Sequence, residues 1–196
     1  MSRWQPDARG RLERAAVELF TEQGFAETTV PQIAARAGLT TRTFFRHFAD
    51  KREVLFAGDE ELPALVARLA TDAPAALGPM QAIAYALETV AATRLEGRLA
   101  HLRTRRAVIQ ADESLREREL RKLSVLSEAI NLGFRERGVD ELTATLAAQL
   151  AVTVFSVTIS RWLDQDGAQP LSELVRDTLR ALRAVTADPA GQPHGA

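Results

Sequence analysis

The chain has 196 residues, of which 46% are hydrophobic and 26% are charged, a content sufficient for a buried core in one domain or two. It contains no cysteine, which excludes disulfides, thiolate nucleophiles and cysteine-ligated metals. The formal net charge of -1 argues against a protein that wraps nucleic acid non-specifically. The first ten residues, MSRWQPDARG, lack an apolar signal core, so we expect a cytoplasmic protein.

The first predicted helix spans residues 7–22, and Gly24 ends its pattern. Its apolar side chains recur at helical spacing and are Leu12, Ala15, Ala16, Leu19 and Phe20. Four residues near the start of the chain either contact DNA phosphates or the minor groove as an arm, or belong to a frayed terminus. These four residues are Arg3, Trp4, Arg9 and Arg11.

A short second helix is predicted after Thr29. Thr29 and Gln32 have the spacing of a capping box, and Pro31 falls in the first turn, where its missing N–H is tolerated. One side of this helix is apolar and carries Ile33, Ala34 and Ala37. Gly38 follows at the position where a left-handed residue ends a helix, so we expect the chain to turn there.

The third predicted helix follows this turn, with Thr40 as its N-cap. Phe44 and Phe48 lie four residues apart, so we expect both rings on the inner side. The outward side then carries Thr41, Arg42, Phe45 and Arg46. Arginine can bind the O6 and N7 atoms of guanine, and threonine can contact a thymine methyl group or a phosphate. The pattern predicts a helix that enters the major groove of DNA; the alternative is a solvated helical hairpin in an unrelated α-helical protein.

The spacing of Ala34, Gly38 and Phe44 favours DNA binding, because a small residue, a turn and a core position recur in this way in helix-turn-helix motifs. At this point the sequence resembles the TetR family of regulators over residues 11–55. The resemblance rests on Phe20 with Gly24, residues 28–30, residues 33–38, and His47 with Phe48. Phe45 stands where the family commonly has tyrosine, so a contact between a phenolic hydroxyl and a phosphate is absent. Arg42 stands where glycine is common in the family, which adds a residue that could contact a base.

The resemblance implies an all-α fold. It places a three-helix helix-turn-helix DNA-binding domain at residues 1–50, an effector-binding and dimerisation domain at 51–187, and a disordered tail at 188–196. The layout of the second domain is similar to that of mycofactocin-type regulators. The resemblance also implies that Lys51 contacts a phosphate. The residues predicted to contact DNA are Thr29, Thr40, Thr41, Arg42, Thr43, Phe45, Arg46, His47 and Lys51.

A fourth helix is predicted to leave the DNA-binding domain. Asp50 and Glu53 have capping-box spacing at its start, and Pro63 kinks or restarts it. Residues 71–79 contain two prolines and a glycine, and we expect a loop there. The next helical pattern begins at Met80, and Gly97 marks a break before the one that follows.

The segment after Gly97 contains one arginine at an apolar position. Arg106 follows Leu102 by four residues and precedes Ile109 by three, so it projects from the apolar side. It is either a partner in an internal ion pair or a counter-charge for an anionic small molecule. His101 and Arg105 lie on the neighbouring charged face, where we expect solvation.

Three features describe the C-terminal part. Residues 115–137 predict a long helix that Gly138 ends. Residues 142–160 carry no charge over a length that could span a membrane. However, seven of these residues are Thr, Ser or Gln, and no second span follows. We therefore predict a helix that is buried on two sides and is not associated with a membrane. Pro170 opens the last helix, which has a continuous apolar stripe from Leu171 to Val185.

The last two helices are predicted to meet their copies about a two-fold axis and form a homodimer. The predicted dimer interface contains Leu146, Leu150, Val154, Val157, Arg176, Arg180 and Arg183. The predicted effector contacts are Tyr85, Arg106, Phe134, Gln149 and Phe155.

These features predict a ligand-responsive transcriptional repressor that a small molecule, for which an anion is one candidate, releases from a palindromic operator in double-stranded DNA. The alternative is a helical ligand-binding or adaptor protein without DNA binding. The three histidines lack HExxH spacing, and no glycine-rich phosphate loop is present. We therefore expect no enzymatic activity, cofactor or metal.

Overall fold

The computed structural model describes residues 7–187, and every regular element within this range is helical. The predicted arm residues Arg3 and Trp4 and the predicted tail at 188–196 lie outside the described residues. The α-helices are α1 Ala8–Gln23, α2 Val30–Arg36, α3 Thr41–His47, α4 Leu62–Thr71, α5 Pro79–Val90, α6 Leu99–Ala111, α7 Glu113–Glu136, α8 Glu141–Asp164 and α9 Leu171–Thr186. A 3₁₀ helix at Glu53–Phe56 precedes α4, and a π-helical turn at Ala91–Leu95 follows α5.

The described residues form two compact units. The first contains residues 7–62 and 100–123, and the second contains residues 63–99 and 124–187. The first unit therefore includes most of α6 and the first half of α7 besides the three N-terminal helices.

Local capping explains where the three N-terminal helices begin. The Asp7 carboxylate accepts a hydrogen bond from the Gly10 N–H at 2.9 Å at the start of α1. The capping box predicted for α2 is confirmed, because Thr29 accepts from the Gln32 N–H while the Gln32 side chain accepts from the Thr29 N–H. Thr40 caps α3 by accepting from the Thr43 N–H at 3.2 Å, as predicted.

The core of the first unit contains the apolar residues predicted for α1 to α3. The Leu12, Ile33 and Phe44 side chains are each fully buried. The same core also contains three residues from α6 and α7, which are Val108, Ile109 and Leu115. The helix-turn-helix thus shares one hydrophobic core with helices that lie more than 50 positions later in the chain.

The prediction of a fourth helix that begins at Asp50 is wrong. Asp50 does accept hydrogen bonds from the Arg52 and Glu53 N–H groups at 2.8 and 3.1 Å, but only the four-residue 3₁₀ helix follows. Gly58 adopts a left-handed φ of 85°, which an α-helix does not accommodate, and the chain becomes helical again only at Leu62. The restart of the helix at Pro63 was predicted and is confirmed.

In the second unit, α5, α8 and α9 pack against one another. The buried face of α8 is rich in alanine, which lets neighbouring helices approach closely. Gly133 has a similar role on α7, because a Cβ atom at this position would lie 2.5 Å from the Ala67 carbonyl oxygen of α4. The Trp162 indole N–H donates to the Gln169 carbonyl at 3.2 Å and ties the end of α8 to the following loop.

Helix α8 is the one helix of the described chain that is long and apolar enough to cross a membrane by length and composition. Core helices of soluble proteins pass the same test, and eight residues of α8 are buried within the protein. The apolar stripe of α9 is buried from Leu171 to Leu179, as predicted. Its predicted end is wrong, since Val185 lies in the last turn of the helix and is 81% exposed.

Candidate nucleic-acid interface

Helix α3 has a buried side and an exposed side. Phe44 and Phe48 are 0% and 3% exposed and anchor the buried side in the core of the first unit. Gly38, with a φ of 64°, makes the turn that precedes α3, and the Leu39 N–H donates to the Ala34 carbonyl at 2.8 Å. The exposed side carries Thr41, Arg42, Phe45 and Arg46, as predicted from the sequence.

Arg42 and Arg46 are exposed, and neither makes a hydrogen bond or ion pair with another described residue. Every other lysine and arginine in the described part of the first unit has a partner within the protein. Arg36 illustrates the contrast, since it donates to Glu22 at 2.8 Å and this hydrogen bond lowers the pKa of the Glu22 carboxyl. The guanidinium groups of Arg42 and Arg46 are therefore available to an external ligand.

Phe45 lies between these arginines and is 58% exposed. Its ring meets the buried Phe44 ring edge-on, with centroids 5.4 Å apart and an interplanar angle of 83°. This contact with Phe44 limits the orientations of the exposed Phe45 ring. Arg42, Thr43, Phe45 and Arg46 together line a shallow concavity on the surface.

Three of the four threonines predicted to contact DNA make hydrogen bonds inside the protein. Thr29 caps α2, and the Thr40 and Thr43 hydroxyls lie 3.0 Å apart and bond to each other at the start of α3. The Thr41 hydroxyl has no such bond within the described chain. Thr41 is thus the threonine best placed for an external contact, and the other three position the helices.

Lys51 is engaged within the protein. Its ammonium group donates to the carbonyl oxygens of Phe25, Ala26 and Thr28 at 2.8, 3.2 and 2.8 Å, and it lies 4.3 Å from the centroid of the Phe25 ring. An ammonium has three donors, so a phosphate contact would require one of these bonds to break. In this arrangement Lys51 holds the loop between α1 and α2.

His47 ends α3 and is half-buried. Its Nε2 atom is buried and has no hydrogen-bond partner among the described residues. The ring lies 6.4 Å from that of Phe48, centroid to centroid. A DNA contact through Nε2 would require this atom to become exposed, and the DNA contact of His47 stays a prediction.

Both interpretations of Arg9 and Arg11, a flexible DNA-binding arm and a frayed terminus, are wrong. Both belong to α1 and contact the rest of the first unit. Arg9 donates to Glu60 at 2.6 Å and to Glu13 at 3.1 Å, and these carboxylates raise its pKa. Arg11 donates to the Ala37 carbonyl at the C-terminal end of α2. Helical periodicity gives no signal for such cross-helix contacts.

A second group of cations surrounds Phe56, which is fully buried. We call Glu53, Phe56, Asp59, Arg105, Arg118 and Lys122 the Phe56 cluster. Glu53 accepts from Arg118 and, at 3.4 Å, from Lys122. Arg105 donates to Asp59 at 2.9 Å, and its guanidinium carbon lies 5.0 Å from the Phe56 ring centroid. These contacts join the 53–59 segment to α6 and α7 within the first unit.

The prediction that Arg105 is solvated is therefore wrong, because its side chain is only 18% exposed. The carboxylate that attracts it, Asp59, is 46 positions away in sequence, so no local pattern reveals the pair. Glu119 lies near both groups. Burial raises the pKa of Glu119, Arg105 opposes this increase and Asp59 adds to it.

The structure does not bring the five predicted effector contacts into one unit. Arg106 belongs to the first unit, is half-buried and takes part in an interaction within the protein. The other four lie in the second unit, where Tyr85 is 46% exposed and Phe134 is 1% exposed. Gln149 is exposed, and Phe155 is half-buried.

Most of the predicted dimer residues are accessible. Leu146 and Val157 are 56% and 43% exposed on α8, Leu150 is half-buried, and the three arginines of α9 are exposed. Arg176 pairs with Glu88 at 3.2 Å, and Arg180 with Asp177 at 3.1 Å. Val154 is an exception and the prediction for it is wrong. It lies on the same face of α8 as the buried Ala151 and Thr158 and is 1% exposed, so it packs inside its own chain.

Residues 13–57, which contain most of α1, all of α2 and α3, and the 3₁₀ helix, match the family model described as bacterial regulatory proteins, tetR family. Over these residues the chain is similar to the TetR family of regulators. The more specific resemblance to mycofactocin-type regulators stays a prediction.

Among curated relatives, the HTH-type transcriptional regulator TcmR of Streptomyces glaucescens is 44% identical over 96 residues, which are 46% of this chain and 40% of TcmR. HbdR of Aromatoleum sp. (strain CIB) is 40% identical over 50 residues, 26% of this chain and 22% of HbdR. The chain thus spans less than half of the length of the curated relatives that it matches.

Solved structures of the TetR fold cover nearly the whole chain. SmeT in its complex with triclosan superposes on this chain with a TM-score of 0.63 at 20% identity, and the match covers 89% of this chain and 90% of the SmeT chain. SmeT is the repressor of a Stenotrophomonas maltophilia multidrug efflux pump. Thermus thermophilus FadR with lauroyl-CoA has a TM-score of 0.53 at 23% identity and covers 96% of this chain and 100% of its own. They show the fold: an N-terminal helix-turn-helix followed by a helical bundle, which confirms the predicted fold class.

Proposed function

We propose that this protein is a ligand-responsive transcriptional repressor that binds a palindromic DNA operator as a homodimer in the cytoplasm, without catalysis. The observation that carries the proposal is the state of Arg42 and Arg46. They are exposed on one side of α3 and have no partner within the described chain, whereas the other cations of the first unit are paired. Unpaired guanidinium groups on a helix-turn-helix match the acceptors of DNA bases and phosphates.

In this proposal, residues 1–50 bind DNA, and residues 51–187 bind the effector and dimerise. Each subunit places α3 in the major groove, and the two helices of the dimer contact half-sites about 34–36 Å apart. Thr41, Arg42, Phe45 and Arg46 face the bases and phosphates. Thr29, Thr40, Thr43 and Lys51 support this arrangement through the bonds that they make inside the protein.

DNA binding is tested with the duplex that flanks the protein's own gene, by fluorescence anisotropy at several salt concentrations. The Arg42→Ala and Arg46→Ala variants should each lose about 1–3 kcal/mol of binding free energy if they contact bases. Arg121→Ala is the matched control, because Arg121 is 68% exposed on α7 and should leave affinity unchanged. Wild-type protein that binds no flanking DNA at any salt concentration would support the adaptor alternative instead.

The exposed apolar side of α8 supports self-association. Leu142, Leu146 and Val157 are 70%, 56% and 43% exposed, and an apolar helix face of this kind is typical of oligomer interfaces. Leu146→Glu should shift sedimentation of the protein from dimer to monomer while its helical circular dichroism is preserved. Unchanged sedimentation of this variant would place the dimer contact elsewhere.

TetR-family regulators bind small-molecule effectors, and the fold neighbours include SmeT with triclosan and FadR with lauroyl-CoA. We extend this property to the second unit of this chain. The hydroxyl of Thr158 supports the proposal, because it is buried on α8 without a hydrogen-bond partner among the described residues and can bond to a bound molecule. Native mass spectrometry of the purified protein would identify a retained ligand, which should then weaken operator binding.

A further inference from the structure

The geometry of α3 points to the base composition of the operator. We propose that each half-site presents two guanines about two base pairs apart, one bound by Arg42 and the other by Arg46, with a thymine methyl group against Phe45. This inference rests on the proposed function, because it requires α3 to lie in the major groove.

The spacing of the guanines follows from the spacing of the arginines. Arg42 and Arg46 are four residues apart on one helix, which corresponds to about 6 Å along the helix axis. Successive base pairs are about 3.4 Å apart along DNA. Two arginines on one face of α3 therefore reach base pairs that are about two steps apart.

Guanine is the base that this chemistry favours. An arginine fork can donate two hydrogen bonds to O6 and N7 of one guanine, and no other base pair edge offers this pair of acceptors in the major groove. Such a contact needs a guanidinium group without competing acceptors from its own protein. Arg42 and Arg46 meet this requirement within the described chain.

Phe45 adds an apolar contact between the two arginines. It is 58% exposed, and its ring is held edge-on against Phe44. A phenylalanine ring in the major groove has no hydrogen-bonding group, and the apolar group available there is the methyl of thymine. An A·T pair beside or between the two guanines would place that methyl group against the ring.

The test selects preferred sites for the full-length protein from a randomised duplex library, followed by sequencing. Wild-type protein should enrich a two-fold symmetric motif with two guanines per half, about two base pairs apart, and an adjacent thymine. Arg42→Gln and Arg46→Gln carry the sharper prediction, because glutamine pairs with adenine through N6 and N7. Each variant should lose about ten- to 100-fold of the preference for one guanine, a different one in each case, and adenine should replace it.

A change of preference from guanine to adenine cannot result from misfolding, so it would establish the assignment of that arginine. Phe45→Ala should lower only the preference for thymine, and Arg121→Ala should reproduce the wild-type motif. Uniformly weaker binding of the glutamine variants to all sequences, with a salt dependence reduced by about one phosphate contact each, would overturn the inference while the proposed function stands. A wild-type library without any enriched motif would contradict the proposed function itself.

Discussion

The exposed side of α3 and the Phe56 cluster both combine arginine with phenylalanine, and they differ in where the charges are satisfied. Arg42 and Arg46 have no partner in the described chain, and Phe45 between them is 58% exposed. In the Phe56 cluster the phenylalanine is fully buried, and Arg105, Arg118 and Lys122 all contact a carboxylate of the 53–59 segment. The same residue types are therefore available to an external ligand in one region and stabilise the fold in the other.

Because of this difference, we expect substitutions in the two regions to affect different quantities, the stability of the fold or the affinity for DNA. Exposed residues without partners contribute little to the free energy of unfolding, so replacing them changes stability slightly. Partly buried ion pairs behave differently, because removal of one member leaves the other charge poorly solvated. Substitutions on the exposed side of α3 should therefore change DNA affinity with little effect on stability, and substitutions in the Phe56 cluster should first change stability.

Phe56→Ala and Phe45→Ala form the pair with the largest expected difference. Phe56→Ala removes a fully buried ring and should lower the free energy of unfolding by about 3–5 kcal/mol. Phe45→Ala should change it by less than about 0.5 kcal/mol. Urea denaturation at one fixed protein concentration measures both values, since the stability of an oligomer depends on concentration. Equal losses for the two variants would show that the exposed ring is also structural.

Arg105→Ala should be the next most damaging substitution. It removes the 2.9 Å contact to Asp59 and the contact to the Phe56 ring, and both charged side chains are less than one third exposed. We expect a loss of about 1–3 kcal/mol in the free energy of unfolding. The pair is isolated by combining Arg105→Ala with Asp59→Asn, because the double variant should lose less than the sum of the single losses. Additive losses would mean that the two residues do not interact.

Lys51→Met tests whether Lys51 stabilises the loop between α1 and α2 or contacts a DNA phosphate. The methionine keeps the apolar stem and removes the donors to the Phe25, Ala26 and Thr28 carbonyls, so stability should fall by about 1–2 kcal/mol. The salt dependence of operator binding is the decisive measurement. It should stay unchanged if Lys51 holds the loop, whereas loss of a phosphate contact would reduce its slope by about one.

Local sequence signals correctly predicted the features of the first unit that depend on interactions between neighbouring residues. Capping by Thr29 and Thr40, the turn at Gly38 and the burial of Phe44 depend on residues a few positions apart, so spacing alone was sufficient. The interruption of the predicted fourth helix was missed because long-range contacts contribute to it. The capping pattern at Asp50 is real, but the contacts of Glu53 and Asp59 with α6 and α7, together with the left-handed Gly58, compete with helix continuation.

The candidate site was predictable in part. Helical periodicity placed Thr41, Arg42, Phe45 and Arg46 on the outer side, and the structure agrees. Periodicity does not indicate whether a polar group is already engaged. The Lys51 ammonium meets carbonyls 23 to 26 residues away, and such pairings depend on how the helices fold together.

Glu119→Gln gives the smallest and most specific effect, and its sign depends on pH. Burial raises the pKa of Glu119 above its usual 4.5 despite the attraction of Arg105, and the nearby Asp59 adds to the increase. Between 4.5 and the higher folded-state pKa, the folded protein binds more protons than the unfolded chain, so wild-type stability falls as the pH rises through this window. The penalty is complete above the folded-state pKa, where Glu119→Gln should be more stable than wild type, and this advantage should shrink as the pH is lowered toward 4.5. Glu117→Gln is the matched control, because Glu117 is 74% exposed on the same helix and its replacement should change stability little. A Glu119→Gln variant less stable than wild type at neutral pH would mean that the attraction of Arg105 for the ionised carboxylate outweighs burial, and Glu119 would then count among the paired charges around Phe56.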